Sequence, residues 1–217
     1  MINVSGNIQY NLPLMKVTMT DNNKVFYHWS HLRNEELADI KQRPSNVRRK
    51  GYLLKKGISC EDWFPEYAEF QLDESSGEML ADVIPNSTLW KIISVPLKEL
   101  LEKHTSCEME FLPIRIRDHN GQLIAETYYI LNILGSVSCM DRQKSDYDAS
   151  ALDESQVVTF RHLFLDTDKI PENTNLFRFG EERDMFMMRK DLMQILIEAG
   201  ITGIKFTSIE DIGETYR

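Results

Sequence analysis

The stretch Phe111–Ile133, FLPIRIRDHNGQLIAETYYILNI, decides how this chain folds. Asn120-Gly121 stands between two runs of alternating residues, and Asn-Gly favours the paired positive φ angles of a two-residue type I′ turn. Such a loop fixes the pairing: His119 opposite Gln122, Ile116 opposite Ala125, and Arg115 opposite Glu126 as a cross-strand pair of opposite charge. One face then carries Ile114, Ile116, Ala125, Thr127 and Tyr129, and the other Arg115, Glu126, Tyr128 and Ile130. From Tyr128 onward the strand is apolar on both sides, the pattern of a strand that enters a core.

Working outward, Trp90 to Val95 reads as a strand that leads into SVPLKELLEKH. That segment has Pro96 in its first turn, a stripe of Leu97, Leu100 and Leu101, and Glu99 four residues before Lys103, all features of a helix. Lys24 to Trp29, KVFYHW, reads as an early strand. NEELADIKQRP after it offers Asn34 as an N-cap, two acids in the first turn and Pro44 as a stop, which predicts a short helix. Toward the C-terminus, VVTFRHLFL and NLFRF alternate as strands. DLMQILIEAG places Leu192, Ile195, Leu196 and Ala199 on one helical face and ends at Gly200, and ITGIKF returns as a strand with Ile204 and Phe206 on one side. No regular βαβ alternation is present. The expectation is an α+β class: one domain over residues 1–217, with a mixed, mainly antiparallel sheet and a few short helices.

The 217 residues are enough for a sizeable core, and the hydrophobic and charged fractions are those of a globular chain. No apolar run approaches the length of a membrane span, and MINVSGNIQYNLP lacks the regions of a signal peptide, so a cytoplasmic location is expected. Three cysteines, Cys60, Cys107 and Cys139, are widely spaced and read as reduced thiols. The net charge is −9, with residues 1–57 net basic and everything after them net acidic. An acidic body disfavours nucleic acid as the main partner and favours a basic protein.

Few residues suggest chemistry. Cys139 follows a strand, but a nucleophile elbow needs small residues two before and two after, and Val137 and Asp141 stand there. A structural thiol is the better reading, with catalysis by Cys139 or by a carboxylate pair kept as an alternative. His28 and His31 form an i,i+3 pair that no carboxylate or cysteine completes as a metal site, so they read as a packing or surface feature. EDWFPEYAEFQLDESSGE sets Glu61, Asp62, Glu66, Glu69 and Asp73 around Trp63, Phe64, Tyr67 and Phe70. This is either an acidic surface with aromatic anchors, suited to a basic protein, or a solvated acidic helix whose aromatics face the core. Arg43, Arg48, Arg49, Lys50, Lys55 and Lys56 form the best nucleic-acid candidate, without an aromatic platform to support it. Asp166 and Asp168 lack the glycine and terminal glutamate of a calcium loop.

Two segments together carry a family resemblance. YYILNILGSVSCMDRQKSDY, from Tyr128, resembles the strand, Asn-Ile and Cys-x-Asp-x-x-x-Ser-x-Tyr pattern of immunity-protein family eleven of bacterial polymorphic toxin systems. NLFRFGEERDMFMMRKDLMQILIEAGITGIKF, Asn175 to Phe206, is similar to the C-terminal part of that family in order and spacing. The resemblance runs over Tyr128 to Phe206. It implies a family-like half, 111–217, beside a more variable half, 1–110. It also implies a cytoplasmic antidote that binds a cognate toxin domain without catalysis, cofactor or membrane attachment, and leaves a homodimer open. The matching positions Asn132, Cys139, Asp141, Ser145, Phe177, Arg178, Gly200, Gly203 and Phe206 then report fold. Toxin contact is expected in the N-terminal half, at Glu61, Asp62, Trp63, Glu66, Glu69 and Asp73.

Overall fold

The computed structural model describes residues 24–47 and 50–215. Strands β5 (Met109–Arg117) and β6 (Tyr128–Ile133) pair antiparallel, from Met109 opposite Ile133 to Ile114 opposite Tyr128. β4 (Lys91–Ser94) lies on the other side of β6 and β3 (Val83–Ile84) beyond it, while β2 (Ala68–Gln71) runs parallel to β5 at the opposite edge. This five-stranded sheet has the order β2-β5-β6-β4-β3. The second sheet is antiparallel throughout. Its order is β11 (Ile204–Ser208), β1 (Phe26–His31), β10 (Phe186–Arg189), β9 (Leu176–Arg178). A separate pair joins β7 (Asp146–Ala149) to β8 (Val157–His162).

Helices α1 (Val95–His104), α2 (Lys190–Glu198) and α3 (Ile212–Thr215), with short 3-10 turns at Ser45–Val47, Gly51–Lys56 and Thr167–Lys169, complete the described elements. Mixed, mainly antiparallel sheets with a few short helices make this an α+β fold, as the pattern predicts. Ser94 caps α1 by accepting from the Leu97 N–H, and Pro96 occupies its first turn. α2 closes with Gly200 N–H on the Ile197 carbonyl and Ile201 N–H on that of Leu196, the paired bonds of a Schellman ending.

The layers follow from strands that are apolar on both faces. A central core joins Trp29, Ile93, Leu131, Ile133, Phe186 and Met188 to Leu97 and Leu101 of α1 and to Leu192 and Leu196 of α2, so both sheets and both helices meet there. The outer face of the larger sheet packs Ile114, Ile116, Tyr128 and Ile130 against Leu54, Cys60 and Phe70. The outer face of the smaller sheet packs Phe26, Phe177 and Met187 against Cys139, Val157, Phe160 and Ile212.

Two local expectations are corrected. The hairpin exists, but its loop has three residues rather than two. Asp118 N–H bonds the Gln122 carbonyl at 2.7 Å, and Gly121 N–H bonds the Asp118 carbonyl at 3.0 Å. Gly121 alone takes a positive φ, +79°, as in a type I turn closed by a bulge. The Asp118 carboxylate decides this by accepting from the N–H groups of Asn120 and Gln122. The third loop residue shifts the pairing by one, so Tyr128 and Ile130 share a face with Ile114 and Ile116, and Tyr129 takes the other; between the Arg117–Leu123 bridge and the regular ladder the returning chain carries further residues without changing that alternation. Arg115 therefore stacks on the Tyr67 ring at 3.4 Å instead of facing Glu126.

The second correction concerns residues 34–44, which form no α-helix. Asn34 accepts from the N–H groups of Glu36 and Leu37, as a cap would. Beyond it, however, Ala38 N–H goes to Met79 O and Ile40 N–H to Pro85 O. Leu37, Ala38 and Ile40 are all buried in this extended arrangement, and tertiary packing overrides the local helix signals.

Candidate functional site

Of the residues matched to the family pattern, Arg178 and Asn132 converge most clearly, and they do so inside the molecule. Arg178, at the end of β9, is 3% exposed. Its Nε donates to Ile133 O at 3.2 Å, one Nη to Arg183 O at 2.6 Å, and the other to Leu54 O at 3.1 Å and to Asn132 Oδ1 at 3.2 Å. The guanidinium also lies over the Phe186 ring at 4.7 Å. Asn132 completes the junction, its Nδ2 donating to Ile58 O and to the Glu110 carboxylate at 2.9 Å each; the same carboxylate accepts the Cys60 N–H. Segments far apart in sequence are thus tied together by one cation and one amide. Burial pulls the Arg178 guanidinium down to about 10, so it stays charged at neutral pH.

Beside this junction Lys91 enters the sheet in the run Trp90-Lys91-Ile92-Ile93 and is 4% exposed. Its ammonium lies 5.4 Å from the centre of the Phe186 ring and, among the described residues, has no hydrogen-bond acceptor. The nearby Asp184 carboxylate pairs with Lys55. Burial pulls Lys91 down to about 8, against the partial support of Asp184. The sequence signal was a lysine among apolar strand residues, which the sequence reading did not use.

The strand exit after β6 is built without a reactive centre. Cys139 is fully buried among Phe177, Phe179 and Met185, and burial, with Glu181 and Asp166 nearby, pushes its thiol up to about 12. A thiol so placed is neither ionised nor reachable at neutral pH. Asp141 accepts from the N–H groups of Gln143 and Lys144, and Ser145 bonds the Phe164 backbone, so both hold the turn. Phe177 is buried and Phe206 half-buried. Gly203, at φ +80°, brings the chain so close to Val83 that a Cβ would meet its carbonyl oxygen at 2.2 Å.

The histidine pair lies on β1, where residues three apart point to opposite faces and cannot meet on one ion. His28 and His31 are both buried, and burial with Lys91 nearby pulls them down to about 3 and about 2. Among the described residues no group of three or more His, Cys, Asp or Glu side chains could hold a metal ion. A cleft of about 440 Å³ is lined by Lys24, Phe26, Thr167, Asp168 and Ile170, and its Lys24 and Asp168 pair with each other at 2.6 Å.

The acidic segment is loop and edge strand, not helix. Glu61, Asp62, Glu66 and Glu69 are exposed, whereas Trp63 and Phe64 pack on the outer core and Phe70 is buried within it. Asp73 is engaged locally: it pairs with Lys41 at 2.8 Å and accepts the Ser75 N–H, and these contacts pull it down to about 2. The aromatics support the sheet and the acids face water. In the basic segment, Lys50 lies 5.9 Å from the Trp63 ring, Lys56 lies 5.2 Å from that of Tyr52, and Lys55 belongs to the Asp184 pair. Arg43 is exposed, and Arg48 and Arg49 lie outside the described residues.

No helix among the described residues is long and apolar enough to cross a membrane. A search of curated proteins returned no match. A scan of protein families matched residues 14–211 to the immunity protein family (Imm11), which reaches well beyond the two segments that carry the sequence resemblance and includes most of the N-terminal half. With nearly its whole length matched, and with the quoted Asn, Arg and Gly positions placed at the joints of the fold, the chain belongs to the Imm11 immunity protein family.

Proposed function

We propose that this protein protects its cell by binding a cognate toxin domain and blocking its action, with no turnover of its own. Family membership over residues 14–211 is the observation that carries this reading. The interior supports it: the one cysteine placed like a nucleophile is buried with its thiol pushed up to about 12, and the two histidines of β1 are held neutral on opposite faces of a strand. Neither can serve the other as base and nucleophile. The reading places the protein in the cytoplasm, where an incoming toxin would act. Glu61, Asp62, Glu66 and Glu69 then act as an acidic rim that steers a basic toxin face into contact, a role that needs exposure but no buried anchor.

The test is co-expression with the toxin domain encoded beside this chain. Growth is restored by the wild type and equally by Cys139→Ala. A toxin that kills as fast with this protein as without it overturns the reading, and loss of protection in a folded Cys139→Ala variant favours the enzymatic alternative.

A further inference from the structure

Between β7 and β8 the chain turns through Ser150–Gln156, and this loop holds the most exposed large apolar side chain among those described, Leu152, 99% exposed. The loop is not loose. Ser150 N–H bonds Gln156 O at 2.9 Å, Gln156 N–H bonds Asp153 O at 2.9 Å, and Asp153 accepts from both the N–H and the hydroxyl of Ser155. Leu152 N–H itself bonds the Ser150 hydroxyl at 3.3 Å. From outside the loop, Arg142 donates to Glu154 O at 3.2 Å and to Ser155 O at 2.6 Å, and Gln156 Nε2 donates to Gly180 O at 3.0 Å. Below it, Val157 and Phe160 are sunk in the outer core of the smaller sheet.

Single exposed leucines are common on protein surfaces and by themselves need no explanation. This one differs because most polar groups around it are committed to holding its backbone in one shape while its side chain is left uncovered by the described residues. An apolar group offered on a preformed loop loses little freedom when it is covered, which is the property of an interface anchor. Its neighbours set the chemistry of what covers it. Asp153 and Glu154 follow directly and are exposed; of the cations nearby, Arg142 is held by loop carbonyls and Arg161 by Asp146 and Asp148, and Arg183 lies close enough to Asp153 to help hold its carboxyl below the usual range, after its bonds to Ser155. The complementary surface is an apolar pocket rimmed by Lys or Arg.

We infer that the Ser150–Gln156 loop is a toxin-docking element, with Leu152 inserting into an apolar pocket of the toxin domain and Asp153 and Glu154 meeting a basic rim. This rests on the proposed neutralising function and adds to it a contact in the C-terminal half, whereas the sequence led to an expectation of toxin contact in the N-terminal half.

The experiment measures affinity for a catalytically inactivated form of the toxin domain encoded beside this chain, using wild type, Leu152→Ala and Leu152→Asp. The expected result is a loss of about 30-fold for alanine and more for aspartate, with thermal stability unchanged because the side chain makes no contact. Hydrogen exchange in residues 150–156 slows in the complex. Wild-type affinity in Leu152→Asp overturns the docking assignment while leaving the function intact. A variant that loses only self-association identifies a second copy of this chain as the occupant and overturns it too. A wild type that forms no complex removes the neutralising function itself, and the assignment with it.

Discussion

Arg178 and Leu152 sit in opposite circumstances, each against the usual trend for its residue type. The arginine is 3% exposed and the leucine 99%. The buried charge is reconciled by carbonyl and amide oxygens that accept from its three nitrogens and by the Phe186 ring beneath it. The exposed hydrocarbon has no such compensation among the described residues. The difference separates two kinds of residue within one family-matched chain: Arg178 is consumed in holding strands and loops together, and Leu152 is presented to solvent on a hydrogen-bonded loop.

Several measurements can sharpen or break that contrast, and the largest effect should come from acid. His28 and His31 are held neutral at about 3 and about 2, below the usual 6.5, so from pH 6.5 downward the unfolded chain binds protons that the native state refuses. Stability is therefore intact above pH 6.5 and is lost as pH falls toward 3, by on the order of 5 kcal/mol at pH 4.5. Denaturant midpoints across this range check it, and a flat profile would place the histidines in contact with water.

Next in size is Arg178→Met, which leaves the oxygens of Ile133, Leu54, Arg183 and Asn132 without their donor. Chemical unfolding should register a loss of about 3–5 kcal/mol. A loss near zero would break the contrast, since the junction would then not depend on its charge.

Lys91→Met should go the other way. The ammonium has no hydrogen-bond acceptor among the described residues, and a methionine of similar length can lie on Phe186, so the variant gains roughly 1–3 kcal/mol at neutral pH. In the wild type the folded value of about 8 lies below the usual 10.5. The burial penalty is thus constant below pH 8 and is released between pH 8 and 10.5, where stability rises by on the order of 3 kcal/mol. The rise should vanish in Lys91→Met, and a rise that persists would assign it to another group. The smallest effect belongs to Glu61→Lys with Glu66→Lys: stability within about 0.5 kcal/mol, and an association rate with the toxin domain reduced about tenfold at low salt.

How much of this was legible in the sequence depended on the range of the deciding interaction. Pro96 at the start of α1, Gly200 at the end of α2 and the apolar faces of β6 are local signals, and the structure agrees with them. The turn after Arg117 was misread because the Asp118 carboxylate competes with the Asn-Gly preference, and the 34–44 segment because its N–H groups find partners at Met79 and Pro85. The role of Arg178 was invisible for the same reason: its acceptors come from three separate segments, around Leu54, Asn132-Ile133 and Arg183, and no spacing announces them. Leu152 was passed over because a single apolar residue in a polar loop carries no pattern; its meaning lies in how firmly its neighbours hold the backbone.

The central claim, protection by binding and not by chemistry, is tested most directly by titrating a fixed amount of purified toxin domain with this protein and following residual toxin activity. A stoichiometric inhibitor gives a linear fall to zero at equimolar protein, with the toxin recovered unmodified when the complex is denatured and separated. Complete loss of activity at a small fraction of an equivalent, or full activity in the presence of excess, would contradict it.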